Sequence, residues 1–269
     1  MSIELNKIYN ENCLDTMLRM PDCFIDLIVT SPPYDDLRTY NGYSFPFEDI
    51  AKELFRITKE GGVVVWIVGD ETKDFCETLT SFKQAIFFTE CGFKLLDTMI
   101  YAKKSYAPAY PTMMRYAQTF EYMFVFSKGK PKTFNPIQTN KQKSSISDRM
   151  ETNGFRQKDG TIKYKRIKTD SLLKDECNVW VYATGFGKSS IDETSFLHPA
   201  TFPEQLPKDH IHTWSNEGDI VYDCFGGSGT TAKMAHLQKR QWILSEISKE
   251  YVEIAQKRIQ PYLNQTSLF

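Results

Sequence analysis

Two short turns, far apart in the chain, carry the side chains best suited to chemistry. The first is Thr30-Ser31-Pro32-Pro33-Tyr34, which follows the apolar run Ile25–Val29. Two consecutive prolines end a strand, because each lacks a backbone donor and forces the preceding residue into an extended conformation. The turn would therefore present a hydroxyl, unpaired carbonyls and an aromatic ring at the carboxyl end of a strand, where open α/β sheets bind ligands. Such a string taken alone is also compatible with an ordinary surface turn.

The second turn follows the apolar strand that ends at Asp223. It reads Cys224-Phe225-Gly226-Gly227-Ser228-Gly229-Thr230-Thr231 and leads into a helix that we expect hydroxyl residues to cap. Glycines at this position let the backbone approach a ligand closely and aim free amides at it. Dinucleotide and phosphate sites share such a turn, so its chemistry is not fixed by the glycines alone.

The elements around these turns alternate between strands and helices. Apolar runs at Ile25–Val29 and Val63–Val68 predict buried parallel strands, and the stripe from Ile50 to Ile57 predicts a helix that Gly61-Gly62 would cap. The same patterns predict further strands at residues 5–9, 93–101, 120–126, 179–182 and 241–246, and further helices at residues 79–91 and 249–262. The alternation predicts an α/β fold with a doubly wound, mostly parallel sheet.

Composition narrows the class of protein. The 269 residues are 41% hydrophobic and 25% charged, values that are ordinary for a globular protein. No apolar run approaches a membrane span, and the first twenty residues do not resemble a signal peptide. The six cysteines show neither CxxC nor Cys/His metal-ligand spacing, so we expect no disulfide framework, no metal site and a cytoplasmic location.

Positive charge is concentrated between Lys128 and Lys174. This stretch holds thirteen lysines and arginines against four acidic residues, although the whole chain has a net charge of −1. Its polar composition is compatible with a solvated insertion, and equally with a surface that binds phosphates by releasing counterions. A second pattern, Gly185–Ser189, resembles the end of a phosphate-binding loop, but Tyr182 stands where that motif requires glycine.

The two turns together resemble the DNA amino-methyltransferases, which pair an [SDN]PP[YFW] catalytic turn with an F-x-G-x-G cofactor turn. The order of the turns is similar to the circularly permuted β group, and the resemblance covers most of the chain. It implies a Rossmann-like fold with a catalytic half at residues 1–127, a basic target-recognition insertion at 128–197, a cofactor-binding half at 198–264 and a tail at 265–269.

The resemblance also implies roles for individual residues. The catalytic residues would be Ser31, Pro32, Pro33 and Tyr34. S-adenosylmethionine would be bound by an HPA-x-FP-x-x-L motif, by the Gly-rich turn and by Glu246 at the cofactor's ribose: His198, Pro199, Ala200, Phe202, Asp223, Phe225, Gly226, Gly227, Ser228, Gly229, Thr230 and Glu246. Two positions depart from the family pattern, since Asn12 replaces an aspartate that reads the adenine and Cys224 replaces a proline.

The implied reaction is methyl transfer to the exocyclic amine of a base flipped out of duplex DNA. Serine at the head of the turn is more typical of members that methylate N4 of cytosine, so cytosine is expected and N6 of adenine is the alternative. Candidate DNA-binding residues are Arg115, Lys163, Lys165, Arg166 and Lys168. A restriction-modification setting fits this activity.

Other functions were weighed against this one. Methylation of RNA or of a protein glutamine uses related Pro-Pro-Tyr turns, but the basic insertion and the permuted order disfavour it. A catalytically inactive DNA-binding module is disfavoured by the intact turns. The tail residues Gln265, Leu268 and Phe269 resemble a motif that docks on the bacterial sliding clamp, or they pack back on the last helix. A homodimer is left open.

Overall fold

Buried strands in the middle of one sheet organise the protein. The computed structural model describes residues 3–33, 45–105, 114–140, 152–166, 173–183 and 203–263. Within these ranges the elements follow in the order β1 (Lys7–Tyr9), α1 (Cys13–Leu18), β2 (Ile25–Thr30), α2 (Phe47–Ile57), β3 (Thr58–Val68), β4 (Thr72–Lys73), β5 (Cys76–Glu77), α3 (Thr80–Glu90), β6 (Lys94–Lys103), β7 (Phe120–Ser127), β8 (Gln138–Asn140), β9 (Thr152–Arg156), β10 (Ile162–Arg166), β11 (Leu173–Asp175), β12 (Val179–Tyr182), α4 (Gln205–Trp214), β13 (Ile220–Asp223), α5 (Thr230–Leu237), β14 (Gln241–Ser245) and α6 (Lys249–Leu263).

The main sheet has eight strands in the order β1-β14-β13-β2-β3-β7-β6-β12. The first five strands of this order, β1-β14-β13-β2-β3, pair in parallel. Strand β7 runs antiparallel to both of its neighbours, β3 and β6, and β12 is parallel to β6. All six residues of β2 are buried, as expected for a strand covered on both faces. The mostly parallel α/β fold predicted from the sequence is confirmed.

Helices cover both faces of this sheet. On one face α1, α2 and α3 enclose a core with Ile28 and Tyr222 of the sheet, around the fully buried Trp66. On the other face α4 contacts β2, and α5 contacts β13 and β14 as well as α4 and α6. Side chains alternate along each strand, so β2 and β13 supply core residues to both layers. No helix in the described ranges is long and apolar enough to cross a membrane.

The described residues of Pro136–Cys177 form a small unit of their own. In it β8 pairs antiparallel with β11, and β9 pairs antiparallel with β10. This unit contains much of the basic stretch. The predicted boundaries at residues 128 and 197 stay predictions, although β12, inside that predicted insertion, pairs with β6 of the main sheet.

The predicted end of α2 is wrong. The Gly61-Gly62 pair does not cap α2: the helix ends at Ile57, where the Thr58 hydroxyl donates to the Leu54 carbonyl at 2.6 Å, and both glycines lie within β3. Gly62 is needed there because a Cβ atom would lie 2.8 Å from the Thr58 methyl group and 3.0 Å from the Asp26 carbonyl. The last helix, predicted at residues 249–262, is α6 at Lys249–Leu263, with Pro261 inside its final turn.

Candidate active site

The two predicted turns follow adjacent parallel strands. Tyr222 of β13 pairs with Ile28 of β2, so the strands end at nearly the same level of the sheet. Beyond these pairs the Thr30 hydroxyl donates a 2.6 Å hydrogen bond to the Asp223 carboxylate. Both residues are buried, at 0% and 2% exposure. The structure therefore brings together the turn at Ser31 and the turn at Gly226 and fastens them by a buried hydrogen bond.

The first turn is described as far as Pro33. Ser31 and Pro33 are partly exposed, and Pro32 is buried. Thr30 pairs with Trp66 at the end of β2, and the chain then leaves the sheet at Ser31. The serine hydroxyl thus lies at the carboxyl edge of the parallel strands, the position expected for ligand-binding groups. Tyr34, the remaining predicted catalytic residue, lies outside the described residues.

Packing fixes the glycines of the second turn. A Cβ atom on Gly226 would lie 2.1 Å from the Leu244 side chain, so β14 leaves no room for one. Gly229 has a φ of +78°, and a Cβ atom there would lie 2.9 Å from the Ala255 methyl group of α6. Gly229 is also the N-cap of α5, and no side chain caps this helix, so the predicted hydroxyl cap is wrong. The glycines allow strand, turn and two helices to meet closely.

Glu246 lies directly after β14 and faces the second turn. One carboxylate oxygen accepts a 2.8 Å hydrogen bond from the Gly227 amide, and the other accepts a 2.8 Å hydrogen bond from the Ser248 amide. Burial raises the pKa of this carboxyl group, and the two amides act in the opposite direction. Because a carboxylate offers about four lone-pair positions, its oxygens keep capacity for further donors.

Asp223 has its carboxylate turned into the protein. Besides Thr30, it accepts the Phe225 amide at 3.1 Å and a hydrogen bond from the Thr231 hydroxyl. Burial raises the pKa of this carboxyl group, whereas these three donors lower it. The contacts give Asp223 the role of joining strand, turn and helix. Its predicted contact with a cofactor stays a prediction.

Asn12 lies close to this edge of the sheet but serves as a helix cap. Its side chain accepts the Leu14 amide at 2.9 Å at the start of α1. Three residues earlier, the Tyr9 carbonyl accepts the Glu246 amide at 3.0 Å. The fold therefore brings Asn12 into the neighbourhood of Glu246. Its predicted contact with adenine stays a prediction.

Phe225 lines the second turn with an aromatic ring. The ring is partly buried and packs edge-on against Phe45 at 5.6 Å and Trp66 at 6.1 Å between centroids. The other residues of the turn, Gly226 to Thr230, are buried. Phe225 thus anchors the turn to the core on the α1–α3 side of the sheet.

Several predicted site residues lie outside the described residues. They are Tyr34, His198, Pro199, Ala200, Phe202, Lys168 and the tail residues Gln265, Leu268 and Phe269. Their roles stay predictions.

The described DNA-binding candidates divide into two groups. Arg115 bonds within the main unit to Thr72, to Glu77 at 2.7 Å and to Gln118 at 3.2 Å, so its guanidinium is engaged with the β4–β5 hairpin. Lys163, Lys165 and Arg166 lie in β10 of the small unit, where Lys163 is exposed. Contact with DNA stays a prediction for all four residues.

Three residues that support the turns from within were not among the predicted site residues. Thr30, Thr231 and Arg258 contact the turns through buried polar atoms. Arg258 was detectable in principle. It lies three residues after Ala255 and next to Ile259, on the buried side of α6, where a charged residue is unusual.

Chemically, the edge combines a hydroxyl with a turn built for close approach. The Ser31 oxygen accepts hydrogen bonds, and so do the carbonyls of a proline-containing turn. The Gly-rich turn and Glu246 suit a polar ligand that carries hydroxyl groups. This combination can hold a small cofactor beside a second, amine-bearing substrate.

Comparison with known proteins finds matches over most of the chain. Residues 25–257 match a family model described as DNA methylase. The orphan methyltransferase M.BamHII of Bacillus amyloliquefaciens is 55% identical over 245 residues, which cover 90% of this chain and 91% of that protein.

Solved structures share the fold. The cytosine-N4-specific PvuII DNA methyltransferase has a TM-score of 0.71 at 20% identity, covering 98% of this chain and 93% of that one. The M1.HpyAVI–SAM complex has a TM-score of 0.62 at 21% identity, covering 94% and 98%. Neither the structure nor these comparisons support the predicted sliding-clamp contact or the homodimer.

Proposed function

The chain belongs to the DNA methylase family and is an S-adenosylmethionine-dependent DNA amino-methyltransferase; from this premise we propose that its target is N4 of cytosine. The observation that carries the choice of base is Ser31 at the head of the catalytic turn. Family members with serine at this position more often methylate cytosine, and members with aspartate more often methylate adenine. DNA is the substrate of either reaction.

The described residues fit the cofactor. Glu246 would accept the ribose hydroxyls, and the turn from Phe225 to Thr230 would pack against the cofactor with its closely approaching backbone. S-adenosylmethionine supplies an electrophilic methyl group on a sulfonium. Because Gly227 donates to Glu246, the turn and the carboxylate are held in one arrangement. Such preorganisation lowers the cost of binding.

Ser31 and the Pro32 carbonyl act on the amino group of the base. An exocyclic amine is a poor nucleophile, because its lone pair is delocalised into the ring. Hydrogen bonds from its two hydrogens to these acceptors draw the nitrogen toward a tetrahedral shape and free the lone pair. The nitrogen would take the methyl group as the carbon–sulfur bond of the sulfonium breaks and leaves a neutral thioether. One amino proton would then become acidic and pass to water, so the site requires no strong base.

Alignment provides much of the remaining rate enhancement. Positioning of two reactants lowers a barrier by up to about 7–11 kcal/mol in favourable cases. The Thr30–Asp223 hydrogen bond supports this role, because it joins the turn that orients the amine to the turn that binds the cofactor. A base inside a duplex cannot reach such an edge, so it is flipped out, with Tyr34 stacking on it.

Methylation of unmethylated DNA with tritiated S-adenosylmethionine tests this function. Duplex DNA and RNA are compared, and the DNA is then digested to nucleosides for mass spectrometry. N4-methylcytosine is the expected product. N6-methyladenine would overturn the choice of base and leave the enzyme class intact, whereas labelling of RNA alone would contradict the substrate.

A further inference from the structure

A buried group of charged side chains supports the cofactor turn from behind. Arg258 of α6 donates through one guanidinium nitrogen to the Ser228 carbonyl at 2.7 Å, the Ser228 hydroxyl at 2.8 Å and the Thr230 hydroxyl at 3.0 Å. Its side chain is 0% exposed. Three acceptors on two residues of the turn thus share one donor group.

Glu204 holds this arginine in place. One of its carboxylate oxygens accepts a 2.8 Å hydrogen bond from the second terminal nitrogen of Arg258 and a 2.9 Å hydrogen bond from the Lys233 ammonium. Glu204 immediately precedes α4, and Lys233 lies in the first turns of α5. The carboxylate therefore connects the starts of two helices to α6, and the arginine extends the connection to the turn.

This arrangement is unfavourable for helix α5 considered alone. The first turn of a helix favours negative charge, because its free amides give it a partial positive charge. Here two buried cations, Arg258 and Lys233, share the single carboxylate of Glu204 near that end, and no side chain caps the helix. Charges placed against a local rule are expected where function requires them.

The geometry points to Arg258 as a positioning residue for S-adenosylmethionine binding. It fixes the Ser228 carbonyl and the hydroxyls of Ser228 and Thr230, so the amides of the turn keep the direction required by the cofactor. Arginine suits this role, because its planar fork reaches several acceptors and keeps its charge when buried. The inference rests on the cofactor-binding function proposed above, and it assigns a part of that function to α6.

Calorimetry with S-adenosylmethionine, and with the unreactive S-adenosylhomocysteine, tests the inference without DNA. Arg258→Met keeps an unbranched side chain and removes the donors. We expect Kd for both ligands to rise about tenfold or more, as for loss of a charged hydrogen bond. KM for S-adenosylmethionine should rise in the same proportion, whereas kcat at saturating cofactor and KM for DNA change little.

Arg240→Met is the matched control. Arg240 is also buried and donates to Ser215 and to the Gln238 carbonyl, but it does not contact the cofactor turn. Both variants should lower Tm, and only Arg258→Met should weaken the ligand. Unchanged Kd in folded Arg258→Met, or equal weakening in Arg240→Met, overturns the inference. If the wild-type protein binds no S-adenosylmethionine, the proposed function fails instead.

Glu204→Gln keeps the test decisive if Arg258→Met does not fold. The amide retains the shape of the carboxylate and removes the charge that holds Arg258. We expect Kd for S-adenosylmethionine to rise severalfold in Glu204→Gln. Arg258→Lys keeps the positive charge and loses the forked guanidinium group, and we expect a similar rise in Kd. Normal affinity in both variants contradicts the inference.

Discussion

The hydroxyl of Thr30 and the carboxylate of Asp223, 193 residues apart in sequence, are joined by a buried hydrogen bond of 2.6 Å. Thr30 immediately precedes Ser31, and Asp223 immediately precedes Cys224, the first residue of the Gly-rich turn. The bond therefore links the two turns of the candidate active site at the point where their strands end. We expect both stability and catalytic alignment to depend on this contact.

Thr30→Val should affect both properties. The substitution keeps the shape of the side chain and leaves a buried carboxylate without one of its donors, which typically costs about 1–3 kcal/mol. Urea unfolding measures this loss, and turnover should fall with it. Thr58→Val is the control, since it removes another buried hydroxyl, bonded to the Leu54 carbonyl away from the turns. Equal turnover in both variants would argue against coupling of the halves.

Ser31→Ala should keep cofactor binding and lower kcat by orders of magnitude. The hydroxyl is proposed to accept an amino hydrogen mainly in the transition state, so its loss affects the chemical step more than binding. Single-turnover kinetics and calorimetry measure the two effects separately. Unchanged turnover would remove Ser31 from the catalytic role.

Glu246→Ala should weaken S-adenosylmethionine binding by roughly 1.5–3 kcal/mol, the contribution of hydrogen bonds to a charged group. Calorimetry measures it. The control is Asp26→Asn, because Asp26 is a buried carboxylate that also accepts a backbone amide, that of Ile220, but at the opposite ends of the strands. Normal affinity in Glu246→Ala would refute the ribose contact.

Neutralising Lys163, Lys165 and Lys168 with glutamine should reduce the salt dependence of DNA binding. Each lost phosphate contact lowers the slope of log affinity against log salt by about 0.9. Fluorescence anisotropy over a range of salt concentrations measures the slope. Lys239, Lys249 and Lys257, exposed residues of the main unit, provide a control triple variant with the same change in charge. If both triples give the wild-type slope, the basic stretch is a solvated insertion.

His210 should make the protein sensitive to acid. It is fully buried in α4 beside Met123 and Trp180, and burial lowers its pKa to about 3 from 6.5. Between these values the unfolded chain binds a proton that the folded protein excludes. The associated stability is complete above pH 6.5 and is lost as pH falls toward 3, at up to about 1.4 kcal/mol per unit.

Urea unfolding of the wild-type protein and His210→Leu over this pH range measures the contribution. We compare the free energy of unfolding of the wild-type protein with that of His210→Leu, so that the other titrating groups cancel. The wild-type value minus the variant value should decrease steadily as pH falls. His212→Gln, which alters an exposed histidine of the same helix, is the matched control variant. A difference independent of pH would contradict the assignment.

Local patterns predicted the strands well and the polar supports poorly. The runs Ile25–Val29 and Val63–Val68 are apolar because both faces of their strands are covered, so burial is visible in the sequence. The Gly61-Gly62 pair misled because a glycine pair after a helical stripe resembles a cap, whereas here it serves close packing inside β3. The neighbouring residues in the sequence cannot distinguish a glycine pair that ends a helix from one that close packing requires within a strand.

The direction of a polar side chain depends on distant residues. Asp223 was placed correctly at the end of its strand, but its orientation toward Thr30 depends on a strand from the other end of the chain. Arg258 of α6 contacts Glu204, which precedes α4, and Ser228 of the Gly-rich turn, so this contact joins three separate segments of the chain. Such contacts arise only when the whole sheet is assembled.

The strand order also constrains how the protein folds during its synthesis. β13 lies between β2 and β14, and among the described strands β1 pairs with β14 alone. The earliest strands can therefore complete their pairing only after the last strands have been synthesised. During synthesis on the ribosome, β2 emerges with one edge open and keeps it open until residues 220–223 follow. Such non-local pairing slows folding, and open edges favour aggregation. We therefore expect the nascent chain to expose the free edge of β2 to incorrect pairing for most of its translation.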